Sequence, residues 1–459
     1  MKIACAFSIT LMLLAGGCSK NDNPSAPADT NAGAIARIYV NPASGADGNT
    51  GTDSSPLKTI RKALALAKAG QRVELQAGTY DAASGQTYPD TIPNGVVVEA
   101  VSAGLAVLVG ANQIAFVGSG NDTTRYLSFQ GFQTIMQSAS GVHVATSMSA
   151  VNVGYAFDLS GTAQAVMNGC TLTNSGVGFL TDIAQLTVNS STISGQPGSD
   201  YFAVLKAATL LINGSTMTDA KASALDMADV SVATLFGCTI SKVSLQGAGG
   251  STSINMSGSS RLTLRSTTIS GAYGPAVLLR DAGTRVVAKV CNFIGNGSGS
   301  GYPALWQSAG NLDVDSCYIS GATSSGFLLQ AGSLTIRNST VQSMKGAGIS
   351  TGAGTSLYMR NTTVSSCTWG ILLIGPSGSA DLGTATSPGG NTINNNLMFG
   401  IRVSYTGGLT AYAVGNTWRL STQGANGSGQ YGSALVTGPV NVADPANYSI
   451  DSNGGKIQF

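Results

Sequence analysis

The sequence predicts an all-β chain wound as a parallel β-helix, and three observations carry that reading. The first is the octet Leu334-Thr335-Ile336-Arg337-Asn338-Ser339-Thr340-Val341, apolar at its first, third and eighth positions, with a bend residue fifth and a small residue sixth. The second is its recurrence. Copies end at Leu172, Ile193, Met217, Ile240, Ile269, Phe293, Ile319, Val341 and Val364, with degenerate copies ending at Ile393 and Trp418. A repeat of about 25 residues marks a solenoid. The third is a short apolar signal after most octets, such as Gly178-Phe179, Ala224-Leu225, Gly326-Phe327, Gly348-Ile349 and Gly400-Ile401, with no helical pattern between.

Within the octet, alternation up to Arg337 places Leu334 and Ile336 on one face and Thr335 and Arg337 on the other. Asn338 tolerates the left-handed backbone that a sharp corner needs. The fifth position reads Gly169, Ser190, Gly214, Gly237, Ser266, Val290, Ser316, Asn338, Asn361, Gly390 and Gly415, and all but Val290 suit a bend. The sixth reads Cys170, Ser191, Ser215, Cys238, Thr267, Cys291, Cys317, Ser339, Thr362, Asn391 and Asn416, all small or polar. Successive coils pair roughly 4.8 Å apart, so equivalent side chains stack in columns.

The chain opens with an export signal: Lys2, then an apolar run over residues 3–14, too short for the about 20 residues that span a bilayer. Ala15-Gly16-Gly17-Cys18 resembles the bacterial lipobox, with Ala in place of the favoured Leu, and makes Cys18 the expected lipidation site. An ordinary cleaved signal peptide is the alternative. Ser19 lacks the aspartate that resembles an inner-membrane retention cue, so outer-membrane delivery is implied. Residues 19–34, rich in Ser, Asn, Asp, Pro and Ala, read as a flexible tether.

Ile38-Tyr39-Val40 reads as a first strand. Ser55 is expected to cap a helix with Pro56 at its first position, and Leu57, Ile60, Leu64 and Ala67 share one face before Gly70 ends it. Such a helix covers the open apolar end of a solenoid. Within this region Tyr39-Val40-Asn41-Pro42, Gly51-Thr52, Ser55-Pro56-Leu57-Lys58-Thr59-Ile60, Ala63, Gly70 and Gly78-Thr79-Tyr80 resemble the opening of domain-of-unknown-function family 1565. Near the other end, Asp381-Leu382-Gly383-Thr384, Ser387-Pro388-Gly389-Gly390-Asn391-Thr392 and Gly415-Asn416-Thr417-Trp418 are similar to the close of many such proteins. The resemblance, over about residues 38–431, implies a single-stranded right-handed parallel β-helix of the pectin-lyase-like kind, often secreted or lipidated. It implies no reaction.

Between these ends, residues 96–99, 107–109, 114–117 and 126–129 read as strands of the first coils, for about fifteen coils and an axis on the order of 70 Å. The expected organisation is a signal peptide at 1–17, a lipidated tether at 18–35, a strand-helix-strand cap at 36–80, coils over 81–420 and a C-terminal cap over 421–459, with a last strand at 456–459. A net charge of +2 with 10% charged residues gives no nucleic-acid footprint, and the chain is read as a monomer. Cys5 lies in the signal. Cys170, Cys238, Cys291 and Cys317 share the sixth-position column. Only Cys291 and Cys317 are on consecutive copies, and their parallel side-chain vectors favour free thiols over a bridge. His143, the one histidine, reads as a surface or turn residue.

The fourth octet position is expected to face solvent, and it brings Arg265, Lys289, Asp315, Arg337 and Arg360 into one stripe; Asp313 and Tyr358 come from the second position. Pectate-lyase-like enzymes work on such a face, where an Arg or Lys removes the proton beside a uronate carboxylate that a cation neutralises. The resemblance therefore suggests Lys289 or Arg337 as base and Asp313 with Asp315 as a Ca²⁺ site, although that ion takes about 6–8 oxygens. Asp47, Asn49, Gly51 and Asp53 faintly resemble a second calcium loop, against the simpler reading of a hydrophilic turn. The chain has only two glutamates, Glu74 and Glu99. Sparse carboxylates and the lack of aromatic subsites favour a lipid-anchored envelope protein of glycan-binding or structural role, with Arg265, Lys289, Arg337, Arg360 and Tyr358 as the glycan stripe. The alternative is a polysaccharide lyase or hydrolase acting through the same residues.

Overall fold

A computed structural model describes residues 36–195, 201–243, 252–299, 301–374, 379–384, 386–403, 409–412 and 415–418, with short strands at Ala434–Val436, Val440–Val442, Tyr448–Ile450 and Lys456–Gln458. The export signal, Cys18 and the tether lie outside the described residues.

Each coil contributes one strand to each of three parallel sheets. In the coil of the defining octet these are Phe327–Leu329 in the second sheet, Ser333–Arg337 in the first and Thr340–Gln342 in the third. The first sheet has 17 strands and the other two 15 each. Alternation decides what is buried: Leu334, Ile336 and Val341 are fully buried, while Thr335 and Arg337 look outward. The register stacks like on like, with Leu312, Leu334 and Leu357 in one column and Val314, Ile336 and Met359 in the next.

Corners are set by backbone conformation. All eleven fifth-position residues have positive φ, from 47° at Ser190 to 74° at Gly415, and Val290 adopts 55° although β-branched. A second left-handed corner follows five residues later, at Asn174, Gly195, Asp219, Lys242, Gly271, Gly295, Gly321, Ser343, Ser366 and Asn395. The three-residue strand of the third sheet is the segment between these two corners.

The sixth-position column is a hydrogen-bond ladder as well as a row of small groups. The Cys170 N–H donates to Ser191 Oγ (3.1 Å), Ser191 N–H to Ser215 Oγ (3.1 Å), Cys317 N–H to Ser339 Oγ (3.0 Å) and Thr362 N–H to Asn391 Oδ1 (3.0 Å). Ser191, Ser339 and Thr362 in turn donate to the carbonyl two residues back. The position therefore requires a short side chain that accepts from one coil and donates to its own corner. Cys291 N–H donates to Cys317 Sγ at 3.3 Å, and both thiols are free and buried. Cys367, outside the octet, sits in a parallel inner column just past the second corner, where its N–H donates to Asn396 Oδ1 (3.1 Å). Burial pushes the Cys170 and Cys367 thiols up to about 11, so they stay protonated.

At the N-terminal end the helix is shorter than its pattern suggests, Ile60–Leu66, with Thr59 rather than Ser55 as N-cap and Ala67 at the C-cap. Leu57 explains the late start: its N–H donates to Tyr39 O and its carbonyl accepts from Asn41, which makes it a β-bridge partner of Val40. Ile60, Ala63 and Leu64 are buried over the first coils as a cap requires. The strand expected at 126–129 is Ser128–Gln130, because Tyr126 is itself a left-handed corner at φ 59°. At the far end Ala434–Val436 and Val440–Val442 still pair in parallel with the coil before them. Lys456–Gln458 forms an antiparallel pair with Tyr448–Ile450.

Candidate glycan-binding face

The outer surface of the first sheet carries three columns, because positions before, between and after the two inward apolar residues all point out. The third column runs Asn168, Asn189, Asn213, Phe236, Arg265, Lys289, Asp315, Arg337 and Arg360 in unbroken register. The positions of the expected stripe therefore follow one another in register, and Lys289 and Arg337 are two coils apart with Asp315 between them. At its start the asparagines form an amide ladder, Asn213 Nδ2 to Asn189 Oδ1 and Asn189 Nδ2 to Asn168 Oδ1, each 2.8 Å.

The members of the stripe differ in availability. Arg265 is exposed and has no anionic partner among the described residues. The Lys289 side chain is 55% exposed, with its ammonium 4.0 Å from Asp315 Oδ2. Arg337 donates to Asp313 Oδ1 at 2.9 Å. Arg360 departs from expectation: its side chain is 8% exposed and is turned onto Asp381 of the next coil. It donates to Asp381 Oδ1 (2.8 Å), Asp381 O (3.0 Å), Met359 O (2.8 Å) and Ser387 Oγ (3.2 Å), under the Tyr358 ring at 4.1 Å. Arg360 and Tyr358 thus pin the next coil, whose Asp381 lies in the column of Tyr358.

Two further cations complete the face. Arg261 and Arg285, one position before their octets, stack on each other in the first outer column and are exposed. They flank Arg265 and Lys289 across Thr263 and Val287. The signal was present in the sequence, since the residue before each octet shares the parity of the second and fourth. A polar cavity of about 180 Å³ opens beside them, lined by Arg285, Asn311, Asp313, Ser333 and Thr335.

The calcium reading does not fit this face. Asp313 is taken by Arg337, and Asp315 accepts from Asn338 Nδ2 (2.9 Å) and Ser316 Oγ (3.0 Å) beside Lys289. The Asn338 amide, despite partial desolvation and aided by Ser316 and Lys289, holds the Asp315 carboxyl below the usual carboxylate range. No third acidic, His or Cys side chain joins them among the described residues, far from the six or more oxygens calcium takes. The N-terminal loop does not fit either. Asp47 accepts from Lys58 N–H, Thr59 N–H and Thr59 Oγ1, Asn49 donates to Pro56 O, and Asp53 accepts from Gln76. These groups tie the loop to the cap. Glu74 and Glu99 are buried and paired with Arg37 and Arg72.

His143 also departs from expectation. It is 1% exposed, on the inward face of Val142–Thr146, and its Nδ1 lies 2.8 Å from Asp122 Oδ2. Gly118 makes the room, because a Cβ there would come within 2.1 Å of the ring. Burial pushes the Asp122 carboxyl up, and the bond to His143 opposes that. Both side chains are 1% exposed, so the pair is sealed in the interior.

Two family models match the chain. Residues 43–233 match the family described as protein of unknown function (DUF1565), and residues 252–418 match right-handed β-helix region. The closing motifs expected from the resemblance thus fall in the second match. No protein of curated function matches the chain. Among solved structures, pectate lyase Pel9A is similar at 16% identity, over 73% of this chain and 76% of that one, with a TM-score of 0.32. The GH136 lacto-N-biosidase from Eubacterium ramulus shares 10% identity over 71% of this chain and 64% of its own, at 0.35. Alginate lyase AlyF-OU02 shares 12% over 86% of each, at 0.33. The chain is a parallel β-solenoid whose residues 43–233 match the DUF1565 family model and whose residues 252–418 match that of the right-handed β-helix region.

Proposed function

We propose that this protein is a lipid-anchored envelope β-helix that holds an acidic polysaccharide along the outer face of its first sheet. One observation supports the reading: Arg261, Arg265, Arg285 and Lys289 are exposed on two successive coils, in two columns of one face. Arg337 extends the row two coils beyond Lys289. Like charges kept this close and largely unpaired are unfavourable unless an anion bridges them. Their stacking coil upon coil suits an extended anionic chain. The anchor half of the proposal rests on Lys2, the apolar run after it and Cys18.

A holding role is favoured over lyase chemistry because Arg337, one of the two residues that could serve as base, is bound to a carboxylate, and the acidic pair beside it is already engaged. The test is retention on immobilised polygalacturonate and alginate at low salt. Changing Arg261, Arg265, Arg285 and Lys289 together to Gln should abolish retention and leave the melting temperature nearly unchanged, since exposed charges contribute little to stability. Undiminished retention removes this face. Unsaturated product from the wild type, lost in Lys289→Gln or Arg337→Gln with retention intact, establishes the lyase instead.

A further inference from the structure

The second sheet has its own distinctive outer face. Its strands Ile254–Met256, Val277–Leu279 and Leu305–Gln307 turn their first and last residues inward, so Asn255 and Trp306 point outward in one column, with Asp226 a coil earlier and Leu278, 5% exposed, covered between them. Two loop tyrosines join Trp306. The Tyr273 and Tyr302 rings are 6.0 Å apart at 59°, and Tyr302 and Trp306 are 6.4 Å apart at 50°. All three are half-buried.

This cluster is held in place. Gly299 N–H donates to Tyr273 O (2.8 Å) and Gly297 N–H to Gly274 O (2.7 Å), which staples one loop to the next. Gly299 lies so close on the Tyr273 ring that a Cβ would come within 2.7 Å of it. The Trp306 indole N–H donates to Gln330 Oε1 at 3.1 Å. Beside the rings runs a polar row, in which Arg280 Nε donates to Asn255 Oδ1 (2.6 Å) and Asn255 Nδ2 to Asp226 Oδ1 (2.7 Å). The hydroxyls of Tyr273 and Tyr302 have no partner among the described residues.

Pre-positioned ring faces bordered by polar side chains and by two tyrosine hydroxyls complement a pyranose, which has apolar C–H faces and a rim of hydroxyls. The ring tilts select further. A flat polycyclic ligand lies on one of these rings only, whereas a chain of sugars, rotated at each glycosidic bond, presents a fresh face to each ring. The polar row carries one cation and one anion, so it does not call for a charged chain. We infer that Tyr273, Tyr302 and Trp306, with Asp226, Asn255 and Arg280, form a binding site for a neutral glycan chain on the second sheet. The inference rests on the reading that these coils hold glycan, but it does not need the basic columns.

The test is calorimetric titration of the full-length protein with cellohexaose, maltohexaose and laminarihexaose. At least one should bind with an affinity that salt leaves unchanged. Trp306→Ala and Tyr302→Ala should each weaken that binding by about tenfold, the worth of one stacked ring, with the melting temperature as control. Tyr302 lies in a loop, so its variant keeps the test open if Trp306→Ala fails to fold. The variant lacking the four basic side chains should bind the same hexaose as the wild type does. Absence of binding by all three hexaoses, or affinity within twofold of wild type in both aromatic variants, overturns the site while leaving acidic-chain retention to be judged separately. Loss of hexaose binding in the basic variant overturns its independence.

Discussion

Val290 holds a left-handed corner at φ 55°, where an L residue is disfavoured by about 1–2 kcal/mol and a β-branched one most of all. Asn338 and Asn361 occupy the same corner two and three coils on. Val290→Asn should therefore raise stability by roughly 1 kcal/mol, read as a higher midpoint in thermal or urea unfolding, and a lower midpoint would show that the corner is not strained. Asp90 provides a pH signature. It is 2% exposed, bonded to Arg61 Nε at 3.0 Å, and its second oxygen has no partner. Burial pushes its carboxyl from 3.8 to about 6. The folded state then holds the proton more tightly than the unfolded chain, so stability falls as pH rises from 4 to 6, and the full penalty applies above that. Asp90→Asn should stabilise at neutral pH by an amount on the order of 1–3 kcal/mol and change little at pH 4; equal effects at both would sink the assignment. At this scale the sequence was legible wherever a residue repeats in a column, as Asn338 and Ser339 do. His143 and Arg360 were misjudged because their partners, Asp122 and Asp381, lie one coil away and outside any clear copy of the octet.

At the scale of the element, alternation in Ser333–Arg337 makes a sharp contrast. Ile336→Asp places an unpaired charge between coils and should cost several kcal/mol, whereas Thr335→Asp faces solvent and should cost under about 1 kcal/mol. Similar losses in urea unfolding would refute the register. The first corner of each coil was legible from Gly, Asn and Ser at one octet position. The second was not, because it lies beyond the octet and is filled as readily by Lys242 as by Gly271. The helix start was misplaced for a tertiary reason: Leu57 pairs with Val40 instead of beginning a turn. Tyr273, Tyr302 and Trp306 escaped notice because loops of unequal length carry the tyrosines.

For the whole molecule, periodicity revealed the solenoid, since each coil buries its apolar residues only against its neighbours. Function was less legible, because a column of cations is written into the sequence but the partner of each cation is not. Replacing Cys18 with Ser should release the protein from the membrane fraction; a variant that still pellets, with no lipid on the wild type by mass spectrometry, would contradict the anchor. The central claim is that exposed cations on the first sheet hold an acidic chain by weak, repeated contacts that salt screens. Its most direct test is the affinity of the soluble protein for polygalacturonate across a salt series up to and beyond about 0.15 M, where the screening length is about 8 Å. Affinity should fall steadily with salt and be missing at low salt when Arg261, Arg265, Arg285 and Lys289 are all Gln. Binding that ignores salt, or that survives those four changes, would contradict it.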